Sequence, residues 1–194
     1  MSAAARLVLA SASPRRLDLL AQIGVRPDAV IAAGADESVA PGELPRDYVL
    51  RVALAKAALV RAKAPDALVL AADTAVACGR RILPKAEGEA DARACLELMS
   101  GRAHRVYSGV VLAGPEGSVR RRVVETRVKV DRLAEADIAA YIASGEWRGK
   151  AGGYAIQGLF AKYVVSIIGS YTNIVGLPLY ETANLLKGAG WRAA

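Results

Sequence analysis

The chain has 194 residues, 54% of them hydrophobic, which suits one packed domain and excludes a largely disordered chain. With 26 Lys and Arg against 19 Asp and Glu it carries a net charge of +7, which favours an anionic partner, either a nucleic acid or a phosphorylated small molecule. Two cysteines and one histidine exclude a disulfide scaffold, a cysteine-based zinc site and any metal motif that takes two histidines from one chain.

The opening MSAAARLVLASASPRR has an apolar stretch too short for a bilayer span and lacks the basic start of a signal peptide. No later run reaches membrane-spanning length, so a soluble, reduced, cytoplasmic protein is expected. Arg6 to Ala10 (RLVLA) reads as a short buried strand. A helix follows over Ser13 to Ile23, with Ser13 as N-cap, Pro14 at the first helical position, Gly24 as the stop and Leu17, Leu20 and Ala21 on its apolar face. Pro45 to Lys63 reads as a second helix with Tyr48, Val52, Ala55 and Leu59 along one face. Ala67 to Ala72 is a second buried strand that ends at Asp73, and Arg81 to Leu83 is a short one. Glu89 to Met99 is a third helix stopped by Gly101. Val106 to Ala113 and Val119 to Val130 form a hairpin turned at Gly114 to Gly117. Ala134 to Ala143 is a fourth helix ended by Gly145, Tyr163 to Ile168 a strand, and Pro178 to Lys187 a last helix. No repeat, linker or low-complexity segment interrupts this order, so residues 1–194 are expected to form a single domain. The mixture of βα units and a hairpin predicts an α/β protein with a mixed sheet, and the apolar composition predicts a core of small aliphatic side chains.

Several positions on this scaffold can carry chemistry. SASPRR, Ser11 to Arg16, stands where a strand hands over to a helix N-terminus, a place that attracts anions. Arg15 and Arg16 oppose the helix dipole there, which a bound phosphate chain would offset; an N-cap followed by solvated arginines is the competing reading. Asp73 and Thr74 directly follow a buried strand, where a carboxylate can bind a divalent metal, act as general base, or merely start a turn. Asp36 and Glu37 form an acidic pair that can hold Mg²⁺ or lie solvated in a loop. Lys56 lies near the apolar face of its helix and must snorkel or reach a buried anion. Lys85 in ILPKAEG is either a second cation for phosphate or an exposed loop lysine. In GEWRGKAGGYAIQG, Gly145 to Gly158, Gln157 offers a donor and an acceptor for a base edge, and Lys150, Gly152 and Gly153 can let backbone approach an anion. The spacing is not that of a P-loop. His104 reads as a structural hydrogen-bonding residue, and Trp147 and Trp191 as packing anchors. Together the cations, acids and Gly-rich loop suit a nucleoside triphosphate with its metal ion better than a duplex groove.

These motifs resemble the Maf family, the septum-formation-inhibitor-like or house-cleaning nucleotide pyrophosphatases. The resemblance runs from about Leu7 to about Leu186 and is carried by LASASPRRLDLL, ADE, LAKA, AADT, ILPK, LMSGRAHRVYSGV, GEWRGKAGGYAIQG and GSYTNIVGLPLYET. It implies an elongated mixed β-sheet flanked by helices, with two lobes around a deep cleft. It also implies hydrolysis of a nucleoside triphosphate to the monophosphate and pyrophosphate, a divalent cation (Mg²⁺ or Mn²⁺) as cofactor, a homodimer, and by the family's name a link to cell-division arrest. By this resemblance Asp73 is the base that activates water, Glu37 helps hold metal, and Ser11, Arg15, Lys56 and Lys85 form the phosphate cleft; reading the chain as an enzyme adds Arg16 to the phosphate-holding cations and Asp73 to the metal ligands. Arg15, Thr74 and Gln157 match the branch acting on dTTP and UTP. Two departures bear on geometry: Lys85-Ala86 replaces the usual Lys-Pro, expected to reposition Lys85, and the bulky Leu159–Tyr163 is expected to reshape the base end of the cleft. The competing function is nucleic-acid binding through clusters such as Arg120 to Arg122; dispersed basic residues and only 5% aromatics argue against it.

Overall fold

The computed structural model describes residues 6–192. Strand β1 (Leu7–Ala10) is buried along its whole length and runs parallel to β2 (Ala29–Val30) on one side and to the first part of β3 (Leu68–Cys78) on the other. Burial on both faces is why β1 and the first part of β3 read as unbroken apolar runs rather than alternating ones. The hairpin β5 (Ala103–Ala113) and β6 (Val119–Val130) continues the sheet antiparallel to β3, and β7 (Val164–Ile168) closes it in the order β2-β1-β3-β5-β6-β7. Strand β4 (Arg81–Leu83) pairs with the far end of β3.

The sequence ends β3 at Asp73, whereas the strand continues to Cys78. It does so because β5 supplies a partner for each residue from Val69 to Ala77, setting Asp73 opposite Gly109 and Thr74 opposite Ser108. The other edge of β3 is covered in two pieces. Pairing with β1 stops at Ala10–Ala71, and pairing with β4 starts at Leu83–Val76. Residues 72–75 lie in the interval between, so the sheet has a notch at the point where its polar residues sit.

Helices α1 (Pro14–Gln22) and α6 (Leu179–Gly188) cover one face, packing Leu19, Leu20, Leu185 and Leu186 on Leu7, Leu9, Leu68 and Leu70. Helix α2 (Pro45–Arg61) covers the other, with Ala53, Ala57 and Val60 on Val8, Ala10, Val69 and Ala71. Its small side chains let it lie close: a Cβ on Gly109 would stand 2.4 Å from the Val49 carbonyl oxygen. The buried stripe of α2 runs through Val49, Val52, Lys56 and Val60, and Leu59 faces out at 43% exposure. The expected face through Ala55 and Leu59 is thus rotated, because the true stripe includes a lysine and an apolar pattern rejects it. Leu17 is likewise exposed, and Leu19 takes its expected place in the core. Ser13 stands at the start of α1, but its hydroxyl makes no cap bond; its N–H instead donates to Ser11 Oγ at 3.1 Å.

Beyond the notch, α3 (Glu89–Met99), α4 (Glu135–Ser144) and the ends of β5 and β6 enclose a different core. It is built on Trp147, Tyr141, Tyr154, Phe160 and Tyr163, with the Phe160 ring against all three tyrosines. The expected small aliphatic core holds for the sheet region and not for this one. A five-residue helix, α5 (Tyr171–Val175), was not foreseen from the sequence; Ser170 Oγ caps it by accepting the Asn173 N–H at 3.2 Å. Among the described residues no helix is long and apolar enough to cross a membrane.

Candidate active site

A cleft of about 520 Å³ opens over the notch in the sheet. Because residues 72–75 lie between the ends of two partner strands, β3 presents both faces of its edge to this space. Asp73 leaves toward α2, and Thr74 leaves toward the Gly176 carbonyl at the end of α5; both line the cleft although neighbouring strand residues point apart.

On the α2 side, Lys56 reaches a buried anion rather than solvent. Its Nζ lies 2.7 Å from Asp73 Oδ1 and 2.6 Å from Glu37 Oε1. The second Glu37 oxygen is hydrogen-bonded by Lys85. Burial pushes the Asp73 carboxyl above the ordinary aspartate range, against the pull of Lys56 and Arg16. Partial burial also pushes Glu37 up, but hydrogen bonds and charge from Lys56 and Lys85 outweigh it and hold that carboxyl at about 2. The two acids of one cluster are therefore driven in opposite directions. Of the acidic pair Asp36 and Glu37, only Glu37 faces the cleft; Asp36 is exposed and accepts the Ser38 N–H at 2.8 Å.

On the opposite wall, Arg16 is buried, and its Nε donates to the Gly176 carbonyl at 2.8 Å. Its other nitrogens donate to Ser11 Oγ at 3.2 Å and Thr74 Oγ1 at 3.3 Å. Thr74 Oγ1 also lies 2.8 Å from Ser108 Oγ. Ser11, Arg16 and Thr74 thus line the cleft with much of their hydrogen-bonding capacity already engaged. Arg15 beside them is half-buried, and burial lowers its guanidinium from its ordinary value. Gln157 is exposed at the far rim with Tyr154, Ala155 and Ile156. Ser11, Arg15, Arg16, Glu37, Lys56, Asp73, Thr74, Lys85 and Gln157 thus all line this one cleft.

The Gly-rich segment is held to Lys85 by backbone. Ala86 donates to the Lys150 carbonyl at 3.1 Å and accepts from the Gly149 N–H at 2.9 Å. A proline at 86 has no N–H to give, so the departure from Lys-Pro creates a bond that ties Lys85 to Lys150. Gly152 and Gly153 adopt φ of +67° and +65° and press onto Val76 and Ala92, where a Cβ would stand 2.8 Å and 3.2 Å away. They serve close packing and do not line the cleft, whereas Lys150 does. Phe160 and Tyr163 enter the aromatic core, and no residue of the bulky Leu159–Tyr163 stretch lines the cleft. His104 is buried with Nε2 2.8 Å from the Tyr154 hydroxyl, as its structural reading expects.

Five cations (Arg15, Arg16, Lys56, Lys85, Lys150) and two carboxylates (Glu37, Asp73) line the cleft, a balance suited to a multiply charged anion. No group of three or more potential His, Cys, Asp or Glu ligands occurs among the described residues. The donor set nevertheless fits a hard divalent cation. Two carboxylates converge on one point, now taken by Lys56 Nζ, and Mg²⁺ commonly uses one or two carboxylates and completes its shell from phosphates and water.

The model of the Maf-like protein family matches residues 6–189. The chain belongs to that family. Maf-like relatives include a protein of Paramagnetospirillum magneticum, 63% identical over 95% of this chain and 97% of its own, and one of Caulobacter vibrioides, 58% identical over 99% and 100%. A third, from Maricaulis maris, is 60% identical over 96% of this chain and 89% of its own. Each of the three is named dTTP/UTP pyrophosphatase. Among solved structures, the Staphylococcus aureus Ham1 protein aligns over 95% of this chain and 97% of its own with a TM-score of 0.53 at 14% identity, which shows a shared fold.

Sequence reasoning missed the Gly176 carbonyl that anchors Arg16 and Thr74, since a backbone acceptor has no residue-type signal. It also took Tyr48 only as an apolar residue, although its hydroxyl donates to the Glu37 carbonyl at 2.9 Å. The one-turn spacing of Tyr48 and Arg51 on a helix beside an acidic loop was the available hint.

Proposed function

We propose that this chain is a nucleoside triphosphate pyrophosphatase that releases the monophosphate and pyrophosphate, with dTTP and UTP as preferred substrates. The observation that carries the reading is the Asp73–Lys56–Glu37 cluster, set in a cleft with four further cations. Relatives at 58–63% identity across nearly the whole chain bear the name of this activity.

Arg15, Lys85 and Lys150 bind the triphosphate, and Arg16 adds charge from behind Ser11 and Thr74. Asp73 orients a water molecule and takes its proton; burial raises the carboxyl's proton affinity, which suits a base. The water oxygen bonds to the α-phosphorus in line as the bond to the α,β-bridging oxygen breaks, and pyrophosphate carries the electron pair away. Asp73 and Glu37 would hold a divalent cation, Mg²⁺ or Mn²⁺, which when bound neutralises charge on the phosphate oxygens. Lys56 keeps the two carboxylates together when no cation is bound. Gln157 and Thr74 meet the base, and the amide offers one donor and one acceptor to a uracil or thymine edge.

Hydrolysis of dTTP in ¹⁸O-labelled water tests the route. The label is expected in the monophosphate; label in pyrophosphate, or release of single phosphates, contradicts attack at the α-phosphorus.

A further inference from the structure

Residues 31–44 carry no regular secondary structure apart from a turn at 41–42, yet Glu37 in their midst meets both Lys56 and Lys85. Irregular segments of this length are uncommon in compact domains and usually serve a site. Behind the loop there is space: Glu37, Val39 and Lys85 also line a neighbouring cavity of about 340 Å³. The loop is a partition between two cavities, so packing from the rear does not fix where Glu37 stands.

It is held from α2 instead. The Tyr48 hydroxyl donates to the Glu37 carbonyl at 2.9 Å. One turn on, Arg51 donates to both Glu43 carboxylate oxygens, at 2.6 Å and 2.8 Å, and to the Ser38 carbonyl at 2.8 Å. Glu43 in turn accepts the Ala40 N–H at 3.0 Å, and the guanidinium lies 5.6 Å over the Tyr48 ring. A lone exposed ion pair contributes little. Here a two-pronged guanidinium–carboxylate pair, a carbonyl contact and a tyrosine bond all grip the same loop, and a planar fork fixes direction as well as distance.

We propose that Tyr48 and Arg51 form a clasp that positions Glu37 beside Asp73 for cation binding. Neither residue touches the substrate; both act through Glu37. The inference rests on the triphosphate hydrolase reading for its consequence and on the loop geometry for its substance.

The test uses the full chain carrying Arg51→Met or Tyr48→Phe. Three quantities are read: Mn²⁺ binding to the nucleotide-free protein by electron paramagnetic resonance, amide exchange at Ala40, and the metal dependence of pyrophosphate release from dTTP. Arg51→Met is expected to weaken Mn²⁺ binding about tenfold or more, as loss of partners that orient metal ligands commonly does. The half-activating metal concentration should rise by the same factor, Ala40 should exchange faster, and kcat at saturating metal should stay within about threefold of wild type. Tyr48→Phe should move each quantity the same way by less, and it carries the test alone if Arg51→Met does not fold. Unchanged Mn²⁺ affinity in the variants overturns the clasp, as does a fall in kcat at unchanged metal affinity, or a wild type that binds no Mn²⁺. Weaker Mn²⁺ binding in the variants with no triphosphate turnover by wild type would uphold the clasp and sink the proposed function. Normal turnover by wild type with unchanged Mn²⁺ affinity in the variants would do the reverse.

Discussion

Lys56 occupies a position on α2 that an aliphatic side chain would fill in an ordinary sheet-covering helix, and it is the residue on which the site turns. Its ammonium lies between two carboxylates, so replacing it with methionine leaves Asp73 and Glu37 apposed with no charge between them. Breaking a buried ion pair from one side commonly costs about 3–5 kcal/mol. Lys56→Met should lose stability on that scale in chelator, and Lys56→Met with Asp73→Asn should regain part of it; urea denaturation of both variants checks this, and equal midpoints would contradict it. Asp73→Asn alone should keep the fold and lose turnover, since the amide cannot take the water's proton. In the metal-free protein, with Asp73 raised above its ordinary value by burial, an NMR titration of its carboxyl carbon should show an inflexion higher than that of an ordinary aspartate, and an inflexion at or below the ordinary value would contradict this.

His104 gives an independent titration in the aromatic core. Burial lowers its pKa from 6.5 to about 4. The unfolded chain takes up this proton near pH 6.5 and the folded protein only near 4, so stability is kept above 6.5 and lost progressively as the pH falls through that window. The loss should reach on the order of 3 kcal/mol at the acid end, seen as a falling Tm. His104→Gln should flatten this slope between pH 7 and 4; an unchanged slope would show that other groups set it.

At the scale of elements, α2 and β5 set the depth of the site. Gly109 has no room for a Cβ, because backbone of α2 stands 2.4 Å from where it would be. Gly109→Ala must lift α2 and carry Lys56 with it. Overpacking of this kind commonly costs about 1–3 kcal/mol. Activity should fall with stability, measured by thermal melting beside pyrophosphate release; an alanine variant with wild-type values in both would show that the contact is not tight. Elements with strong local signals were legible from the sequence: α3 matches its expected span of Glu89–Met99, and Gly145, at φ +70°, ends α4 as read. Elements fixed by distant partners were not. β3 outruns its apolar stretch because β5 pairs with it past Asp73, and α5 is too short to show a period. In the site, residue types were legible and engagement was not. Nothing in SASPRR says that Arg16 turns inward to Gly176 while Arg15 stays beside the cleft. Nor does the acidic pair say which member faces the lysines.

Taken as a whole molecule, the fold joins an aliphatic core on the parallel side of the sheet to an aromatic core around α3 and α4. The notch in β3 lies between them, so the cleft draws the SASPRR segment and the Glu37 loop from one side and Lys85 and Gln157 from the other. Cations from both sides converge on a space of about 520 Å³, which is on the scale of a nucleotide-sized ligand. Five cations against two carboxylates leave the cleft itself positive, a part of the chain's overall charge of +7. The most direct measurement is pyrophosphate release, with Mg²⁺ or Mn²⁺, from a panel of dTTP, UTP, CTP, GTP, 7-methyl-GTP and 5-methyl-UTP, run for wild type and Asp73→Asn. Pyrophosphate from dTTP and UTP ahead of the other natural nucleotides, absent in the variant, is the predicted result. No pyrophosphate from any member of the panel, or full activity in Asp73→Asn, would contradict it.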